Sequence, residues 1–388
     1  MKIAIPKERA IAEARVAATP DTVKKYIALG CEVTIETGAG LQAAITDAAY
    51  EAAGATIAKD AKTALSSADL VLKVQRPLAK GEARTDKTSI DELSLLKKGA
   101  TMMAILNPYG QKGRVAEYAS SGVTALAMEF MPRITRAQSM DVLSSQANLA
   151  GYKSVLDATA AFGRALPMMM TAAGTIAPAR VTIMGAGVAG LQAIATARRL
   201  GAVVSAFDVR PAAKEQVQSL GATFIEVDPE ESKDAETAGG YAKEMSEDYK
   251  RKQAEKIHET LKKQDIVICT ALIPGRAAPV LVTKEMVADM KTGSVIVDLA
   301  VEQGGNCEGS QPGEIVETEN GVKIVGHLNV PSRLAVDASA LYAKNLLNFV
   351  TLLFDKESNS LKFDFEDEIV KGTCLSHDGK VVHETFQG

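Results

Sequence analysis

The chain has 388 residues, of which 46% are hydrophobic, 24% are charged and 4% are aromatic, and it contains no Trp. This length exceeds what one hydrophobic core usually supports, so we expect two domains whose cores consist mainly of aliphatic side chains. The formal net charge of −4 argues against nucleic-acid binding, because that function normally requires a strongly basic domain or stripe.

The cysteines and the N-terminus favour an intracellular protein. The cysteines are far apart in the sequence: Cys31, Cys269, Cys307 and Cys374. They form no Cys-x-x-Cys pair, so the sequence predicts buried, reduced thiols and no metal site. The segment Met1–Glu8 lacks the apolar core of a signal peptide, and Val181–Ala197 is interrupted by glycines and is too short for a spanning helix. We therefore expect a cytoplasmic protein.

Short apolar runs alternate with helical patterns, which is typical of βαβ units and of mostly parallel sheets. The first predicted strands are Lys2–Ile5, Glu32–Ile35, Leu70–Lys73, Thr101–Ile105 and Thr124–Ala127. Helices such as Thr22–Ala28 separate them. The polar segment Pro132–Ser145 then precedes a helix that begins near Gln146. These elements predict a first α/β domain that begins at Met1.

A second series of strands begins at Val181. Its further members are Val203–Phe207, Thr223–Val227, Ile266–Cys269, Val295–Leu299 and Lys323–Gly326. A long helical pattern, Ala335–Leu353, leads to a tail with the predicted strands Lys362–Phe365 and Val381–His383. If the long helix crosses back, the tail completes the first domain. Leu346–Leu353 is apolar enough for either a core or an interface.

A glycine motif stands at the start of the second series. Gly185, Gly187 and Gly190 form a Gly-x-Gly-x-x-Gly directly after a strand and at the opening of a helix that runs to Leu200. The first glycine permits a tight turn, the second lets backbone N–H groups approach a pyrophosphate, and the third allows close packing of helix and sheet. The helix N-terminus adds roughly half a positive charge. The pattern predicts a dinucleotide site.

An acidic residue follows the next strand. Asp208 lies roughly 20 residues beyond Gly185, which is the fingerprint spacing for a ribose-binding acid. A carboxylate accepts hydrogen bonds from the ribose hydroxyls and repels a 2′-phosphate, so it favours NAD(H) over NADP(H). Arg210 nearby leaves NADP(H) as the weaker alternative. The predicted cofactor-binding residues are Gly185, Gly187, Val188, Ala189, Gly190, Asp208, Val209, Arg210, Ala271 and Leu272.

These patterns predict an α/β protein with two Rossmann-like, doubly wound parallel-sheet domains. The first domain is discontinuous and comprises residues 1–143 and 328–388, whereas residues 144–327 form the NAD-binding Rossmann domain.

Several blocks of sequence point to one superfamily. They are Ile5–Glu8, Arg15-Val16, Leu72–Pro77, Ala271–Arg276 and Val297–Gly305. They resemble blocks shared by alanine dehydrogenases and by the NAD(H)-binding α subunits (domain I) of proton-translocating NAD(P) transhydrogenases. The resemblance covers essentially the whole chain, but these blocks do not discriminate between the two groups.

Three further blocks resemble the transhydrogenases alone: Met131–Tyr152, Ala235–Met245 and Gly326–Arg333. In that family the first block covers the nicotinamide and the second is a mobile loop that closes over the nucleotide. The resemblance implies that five residues hold the nicotinamide or order the loops around it. These predicted catalytic residues are Arg133, Gln138, Asp141, Ser144 and Tyr241.

The departures from alanine dehydrogenase concern proton transfer. Oxidising an amine moves a proton with the hydride and needs an acid/base group. The resemblance implies a histidine after the fourth strand, where this chain has Ile105, and a catalytic Asp where it has Glu302. The four histidines of the chain lie elsewhere: His258, His327, His377 and His383. Hydride transfer between two nicotinamide rings moves no proton, so the loss of the histidine fits a transhydrogenase.

The resemblance therefore implies an NAD(P)+ transhydrogenase (Re/Si-specific, proton-translocating) that is catalytic only with partner subunits. NAD(H) would bind here and NADP(H) on the partner, while membrane-spanning subunits carry the protons. A homodimer peripheral to the inner membrane is expected, with membrane contact only through those partners. Two alternatives remain at this point. One is an alanine dehydrogenase-like enzyme that uses Arg15 and Lys73 for a substrate carboxylate, and the other is a non-catalytic NAD-sensing module.

Overall fold

The computed structural model describes residues 1–83, 85, 90–227, 245–273 and 275–387. The chain forms two compact units. Unit 1 combines Met1–Gln146 with the chain from Ser332 onward, and unit 2 is Ala147–Pro331. We predicted the two boundaries from the sequence after residues 143 and 327, a few residues before the observed ones.

The strands and helices of the two units alternate along the chain. The strands are β1 (Lys2–Ile5), β2 (Glu32–Glu36), β3 (Thr56–Ala58), β4 (Leu70–Gln75), β5 (Thr101–Ile105), β6 (Thr124–Ala127), β7 (Met169–Thr171), β8 (Gly174–Ile176), β9 (Arg180–Met184), β10 (Val203–Phe207), β11 (Thr223–Phe224), β12 (Ile266–Cys269), β13 (Val295–Asp298), β14 (Ile315–Glu317), β15 (Lys323–Val325), β16 (Phe354–Asp355), β17 (Ser360–Leu361), β18 (Cys374–His377) and β19 (Lys380–Val381). The α-helices are α1 (Pro20–Ala28), α2 (Asp47–Ala52), α3 (Ala61–Leu65), α4 (Lys112–Ser120), α5 (Val142–Ala161), α6 (Val188–Arg199), α7 (Ala212–Ser219), α8 (Glu247–Leu261), α9 (Lys284–Ala288), α10 (Ala335–Leu353) and α11 (Glu368–Thr373).

Unit 1 is built on a sheet of strand order β19-β18-β6-β5-β4-β1-β2-β3. Strands β1 to β6 pair in parallel, and β18 adds to β6 in the antiparallel sense. Most residues of β1, β4, β5 and β6 are buried, which explains why these strands read as continuous apolar runs. Leu346, Phe349 and Val350 of α10 are buried in the core of this unit. The apolar part of α10 therefore belongs to a core, which was one of its two predicted roles.

Unit 2 is built on a sheet of strand order β11-β10-β9-β12-β13-β15-β14. All of these strands pair in parallel except the edge strand β14, which is antiparallel to β15. The strand order reverses between β9 and β12. Open α/β sheets bind their ligands beyond the carboxyl ends of the strands at such a reversal. The predicted α/β class with two parallel-rich sheets is confirmed.

The tail was the least accurate part of the prediction. The predicted strand Lys362–Phe365 is wrong, because β17 ends at Leu361, and the sheet is extended by Cys374–His377 instead. This segment lacks apolar periodicity, since Ser376 is buried and donates its hydroxyl to the carbonyl of Val123 at 2.8 Å. Burial of a polar side chain with a distant partner cannot be read from the segment itself.

In the described part of the chain, no helix is both long enough and apolar enough to cross a bilayer. The four cysteines are buried free thiols, as predicted.

Candidate nucleotide site and the surrounding polar groups

A tight turn connects β9 to α6. Gly185 has a φ of +101°, which lies in the left-handed region, and its N–H donates to the carbonyl of Phe207 at 2.8 Å. A Cβ at Gly190 would lie 1.9 Å from the carbonyl oxygen of Gly185, so only glycine lets the helix approach the turn this closely. At Gly187 the nearest atom to such a Cβ is Nη2 of Arg210 at 4.0 Å. The first and third glycines therefore shape the turn, and the second leaves space above the backbone.

The N-terminus of α6 faces this space with free hydrogen-bond donors. Gly187 is the N-cap residue and supplies no side-chain cap. The N–H groups of Gly187, Val188 and Ala189 precede any helical carbonyl that could accept them. Such N–H groups, together with the helix dipole, bind phosphate groups. The arrangement fits a dinucleotide pyrophosphate.

Asp208 lies at the carboxyl end of β10 and is 9% exposed. Its Oδ2 accepts the Ala186 N–H at 2.7 Å, which ties the carboxylate to the glycine turn. Arg210 donates to the same carboxylate through its backbone N–H at 2.9 Å, its Nε at 2.9 Å and its Nη2 at 2.8 Å. Four N–H donors thus occupy a group that offers about four lone-pair positions. A ribose hydroxyl can reach this carboxylate only if it displaces the guanidinium or shares an oxygen with it.

The segment after β12 joins the glycine turn. Thr270 donates its hydroxyl to the carbonyl of Gly185 at 2.8 Å, so it holds the turn from the neighbouring strand. Ala271 and Leu272 follow it, and the Leu272 side chain is 39% exposed. Sequence reasoning missed Thr270. The available signal was its position, since it is the first polar residue after a buried strand beside the point where strand order reverses.

In unit 1, the predicted nicotinamide-holding residues lie on a 3₁₀-helix, Thr135–Met140, and on the first turn of α5. Asp141 accepts the backbone N–H of Ser144 at 3.0 Å and its hydroxyl at 2.5 Å, so it caps α5. The N–H of Asp141 donates to the carbonyl of Gln138 at 3.3 Å. The structure therefore brings Gln138, Asp141 and Ser144 together.

The other two predicted catalytic residues differ in what is known of them. Arg133 lies on the same segment of unit 1, just before the 3₁₀-helix, and its side chain is exposed. Tyr241 lies outside the described residues.

The segment after β5, where the alanine dehydrogenase histidine was expected, carries no histidine. Ile105 ends β5, and the N–H groups of Leu106 and Asn107 donate to Oε1 of Glu129 at 2.9 and 2.5 Å. Burial raises the pKa of Glu129 to about 7. Sequence reasoning missed this carboxyl group. Its oxygens hold the backbone of the segment, which makes it a structural anchor.

Three histidines have structural surroundings in the described chain. Nε2 of His258 lies 2.9 Å from Oδ2 of Asp289, and Nδ1 of His377 lies 3.0 Å from the hydroxyl of Thr124. His383 lies among the aromatic rings near the C-terminus, and burial lowers its pKa. Glu302, the counterpart of the alanine dehydrogenase Asp, accepts the backbone N–H of Asn329 at 2.9 Å in unit 2.

Arg15, one of the two cations considered for a substrate carboxylate, is buried and paired. Its Nε and Nη2 donate to the two carboxylate oxygens of Glu13 at 2.8 and 2.6 Å, and its Nη1 donates to Gln146 at 2.8 Å. Burial alone would raise the pKa of Glu13, but the adjacent guanidinium outweighs it and keeps that pKa below its ordinary value. The chain's own carboxylate therefore occupies this cation.

Lys73, the second cation, is 2% exposed and lies between two buried carboxylates. Its Nζ is 3.2 Å from Glu8 and 3.3 Å from Glu92. Burial raises the pKa of Glu8 to about 7, although Lys73 opposes the shift. Burial would lower the pKa of Lys73, but the two carboxylates hold it above its ordinary value. Both cations thus form part of a buried ion-pair network in unit 1.

Two sequence models of one family match almost the whole chain. Residues 4–150 match the alanine dehydrogenase/PNT N-terminal domain, and residues 154–384 match the alanine dehydrogenase/PNT C-terminal domain. The chain therefore belongs to the alanine dehydrogenase/PNT family.

Within that family the chain is more similar to transhydrogenase subunits than to alanine dehydrogenase. It is 60% identical over its full length to an NAD(P) transhydrogenase subunit alpha of Rhodospirillum rubrum and covers 99% of that protein. The solved structure of a transhydrogenase from Sinorhizobium meliloti matches with a TM-score of 0.87 and 53% identity, over 98% of this chain and 100% of that one. Alanine dehydrogenase of Halomonas elongata is 31% identical, over 99% of this chain and 95% of that protein. The resemblance stated from the sequence is confirmed.

Proposed function

We propose that this chain is the NAD(H)-binding subunit of a proton-translocating transhydrogenase and that it passes a hydride between NADH and NADP+ held by a partner subunit. The observation that carries the proposal is the dinucleotide geometry of unit 2: the Gly185 turn, the open space at Gly187 and the acid Asp208. The 60% identity to a transhydrogenase α subunit supports it.

In this proposal, unit 2 binds the nucleotide through groups already in position. The N–H groups at the start of α6 bind the pyrophosphate, and Asp208 accepts a ribose hydroxyl once Arg210 moves or shares an oxygen. The exposed side chain of Leu272 offers an apolar contact beside them. Bound NADH supplies a hydride from C4 of its nicotinamide ring.

Arg133, Gln138, Asp141, Ser144 and Tyr241 are proposed to hold the nicotinamide or to order the loops around it. The two hydrogen bonds from Ser144 to Asp141 stiffen the start of α5, so the polar segment needs little ordering when a ring binds. Transfer between two nicotinamide rings moves no proton. The residues must therefore supply placement, with the reacting carbons about 3–3.5 Å apart, and exclusion of water.

The partners are proposed by the same reasoning. NADP(H) is held by a second subunit, the reaction is Re/Si-specific, and membrane-spanning subunits translocate the protons, with this chain peripheral to the inner membrane. We also propose a homodimer. The hairpin β7–β8 supports it, because Met168, Met170 and Ile176 are 60%, 79% and 39% exposed and a lone two-stranded hairpin is marginally stable in water.

The test of the proposed function is to mix the chain with its candidate NADP(H)-binding and membrane-spanning partners and follow deuterium from C4 of labelled NADH. Deuterium is expected in NADPH and not in water, because the transfer is direct. NADH binding without transfer, while the partner is shown to bind NADP+, would indicate an NAD-sensing module. Reductive amination of pyruvate with ammonium by the chain alone would indicate an alanine dehydrogenase.

Replacing Asp208 with Asn is expected to weaken NADH binding about tenfold or more, because a hydrogen bond to a charged group is worth about 1.5–3 kcal/mol. The discrimination against NADPH should also relax, since the repulsion of a 2′-phosphate disappears. Both affinities are measured by nucleotide fluorescence. Asp289→Asn serves as the control, because Asp289 pairs with His258 and Lys262 on the surface of the same unit. Equal NADH affinities for Asp208→Asn and wild type would show that this acid does not contact the ribose.

A further inference from the structure

We infer that Asn306 is a positioning residue of the nucleotide site, whose buried side-chain amide holds the segment Thr270–Leu272 in its binding conformation. The inference rests on the proposed binding of NAD(H) by unit 2. Asn306 follows the glycine pair Gly304-Gly305, which the sequence alone explains only as a turn.

The amide of Asn306 pairs with a backbone segment as a neighbouring strand would. Oδ1 of Asn306 accepts the N–H of Ala271 at 3.0 Å, and Nδ2 donates to the carbonyl of Ala271 at 2.9 Å. Nδ2 also donates to the carbonyl of Pro279 at 2.8 Å. The residue is completely buried. One side chain thus joins the first residues after Thr270 to the far end of the same loop.

The backbone around Asn306 is itself held in place. Gly304 and Gly305 have φ values of +100° and +84°, and a Cβ at Gly305 would lie 2.8 Å from Oδ2 of Asp298. The carbonyl of Asn306 accepts the N–H groups of Leu281 and Val282 at 2.8 and 3.0 Å. The amide therefore projects from a rigid base, as a positioning group must.

The bonds of Asn306 decide what the segment presents to a ligand. The backbone N–H and C=O of Ala271 are both engaged by the amide, while Thr270 is bonded to the carbonyl of Gly185. The segment is thus held between the glycine turn and Asn306. The Leu272 side chain, 39% exposed, is left as its ligand-facing group.

Asn320 provides a matched control. Its Nδ2 donates to three backbone carbonyls in the same unit, those of Val287 and Ala288 at 3.0 Å and that of Met290 at 3.4 Å. It precedes β15 and lies near the amino ends of the parallel strands, whereas nucleotides bind at the carboxyl ends. Asn320→Ala removes a comparable set of bonds away from the proposed site.

The experiment compares Asn306→Ala with Asn320→Ala and wild type. Asn306→Ala is expected to bind NADH about tenfold more weakly and to be cut faster by trypsin after the exposed Arg276, because the loop has lost its connection. Asn320→Ala should keep wild-type NADH affinity and wild-type cleavage at Arg276, even if its melting temperature falls as far. Wild-type NADH affinity for Asn306→Ala, or an equal loss for Asn320→Ala, would overturn the inference.

A measurement on the wild-type protein needs no variant to fold. The amide hydrogen of Ala271 is expected to exchange slowly in the nucleotide-free protein, since it is bonded to Asn306 in a buried setting. Fast exchange would overturn the inference. If wild type binds no NADH but Ala271 is protected, then the proposed function fails while the role of Asn306 in holding the loop stands.

Discussion

A Gly190→Ala variant is expected to lose at least a hundredfold in NADH affinity and about 1–3 kcal/mol in free energy of unfolding. The added Cβ would lie 1.9 Å from the carbonyl oxygen of Gly185 and 3.2 Å from the hydroxyl of Thr270. Backbone cannot move aside as a flexible side chain can, so α6 must shift away from the turn, and overpacking of this kind has a cost of that size. The shift removes the N–H groups from the pyrophosphate position.

Gly163→Ala is the control for this variant. Gly163 lies in the same unit, no atom lies within 4 Å of its added Cβ, and its φ is outside the left-handed region. Its NADH affinity and stability should match wild type. Titration with NADH and urea denaturation give the two quantities. If Gly190→Ala bound NADH as tightly as Gly163→Ala, the close approach of α6 to the turn would have no role in binding.

A Lys73→Met variant is expected to lose about 3–5 kcal/mol of stability in unit 1, because removing one partner leaves buried charges uncompensated. Lys73 is 2% exposed and is shared by Glu8 and Glu92, while Val74 also donates its N–H to Glu8 at 2.6 Å. Methionine fills a similar volume, so the loss reports charge and not a cavity.

The loss should depend on pH with a defined sign. The pKa of Glu8 is about 7 in the folded chain, above its ordinary value of 4.5. Its contribution to stability is therefore fully present below pH 4.5 and is lost as the pH rises through about 7. In Lys73→Met the opposing cation is gone and the pKa rises further. Urea denaturation should consequently show a larger difference from wild type at pH 8 than at pH 6.

Lys97→Met and a double variant complete this test. Lys97 pairs with Asp69 at a site where both side chains are about 40% exposed, so its loss should stay below about 1 kcal/mol. Adding Glu8→Gln to Lys73→Met should restore part of the stability at pH 8, because one buried charge is removed. A pH-independent loss would contradict the assignment of Glu8 as the group that takes up the proton.

The sequence was sufficient for those elements whose own residues determine them. β1, β5, β6, β10 and β12 and the helix α10 have the predicted bounds, because buried parallel strands and a long amphipathic helix carry their signal locally. The glycine turn belongs to the same class, since the φ of Gly185 and the spacing to Gly190 follow from the motif.

The parts that escaped prediction depend on partners distant in sequence or on side-chain conformation. The strand β18 is partly polar and is recognisable only beside β6. The pairing of Arg210 with Asp208 depends on the direction of the guanidinium, which sequence spacing does not determine. Glu129 gives no local signal, because its bonds go to a segment 22 and 23 residues away.

The interruption of unit 1 by unit 2 has a consequence for synthesis on the ribosome. Unit 2 is one continuous stretch, so it can fold as soon as it has emerged. Unit 1 must wait, since β18 and α10 come from beyond residue 331, and Tyr342 of α10 donates its hydroxyl to the carbonyl of Lys73 at 2.9 Å. Although domains usually fold from the N-terminus onward during translation, here the first-made strands complete their sheet last. Until then a nascent chain exposes the edge of β6 and the apolar face that α10 will cover, which is the stage most exposed to aggregation and to chaperones.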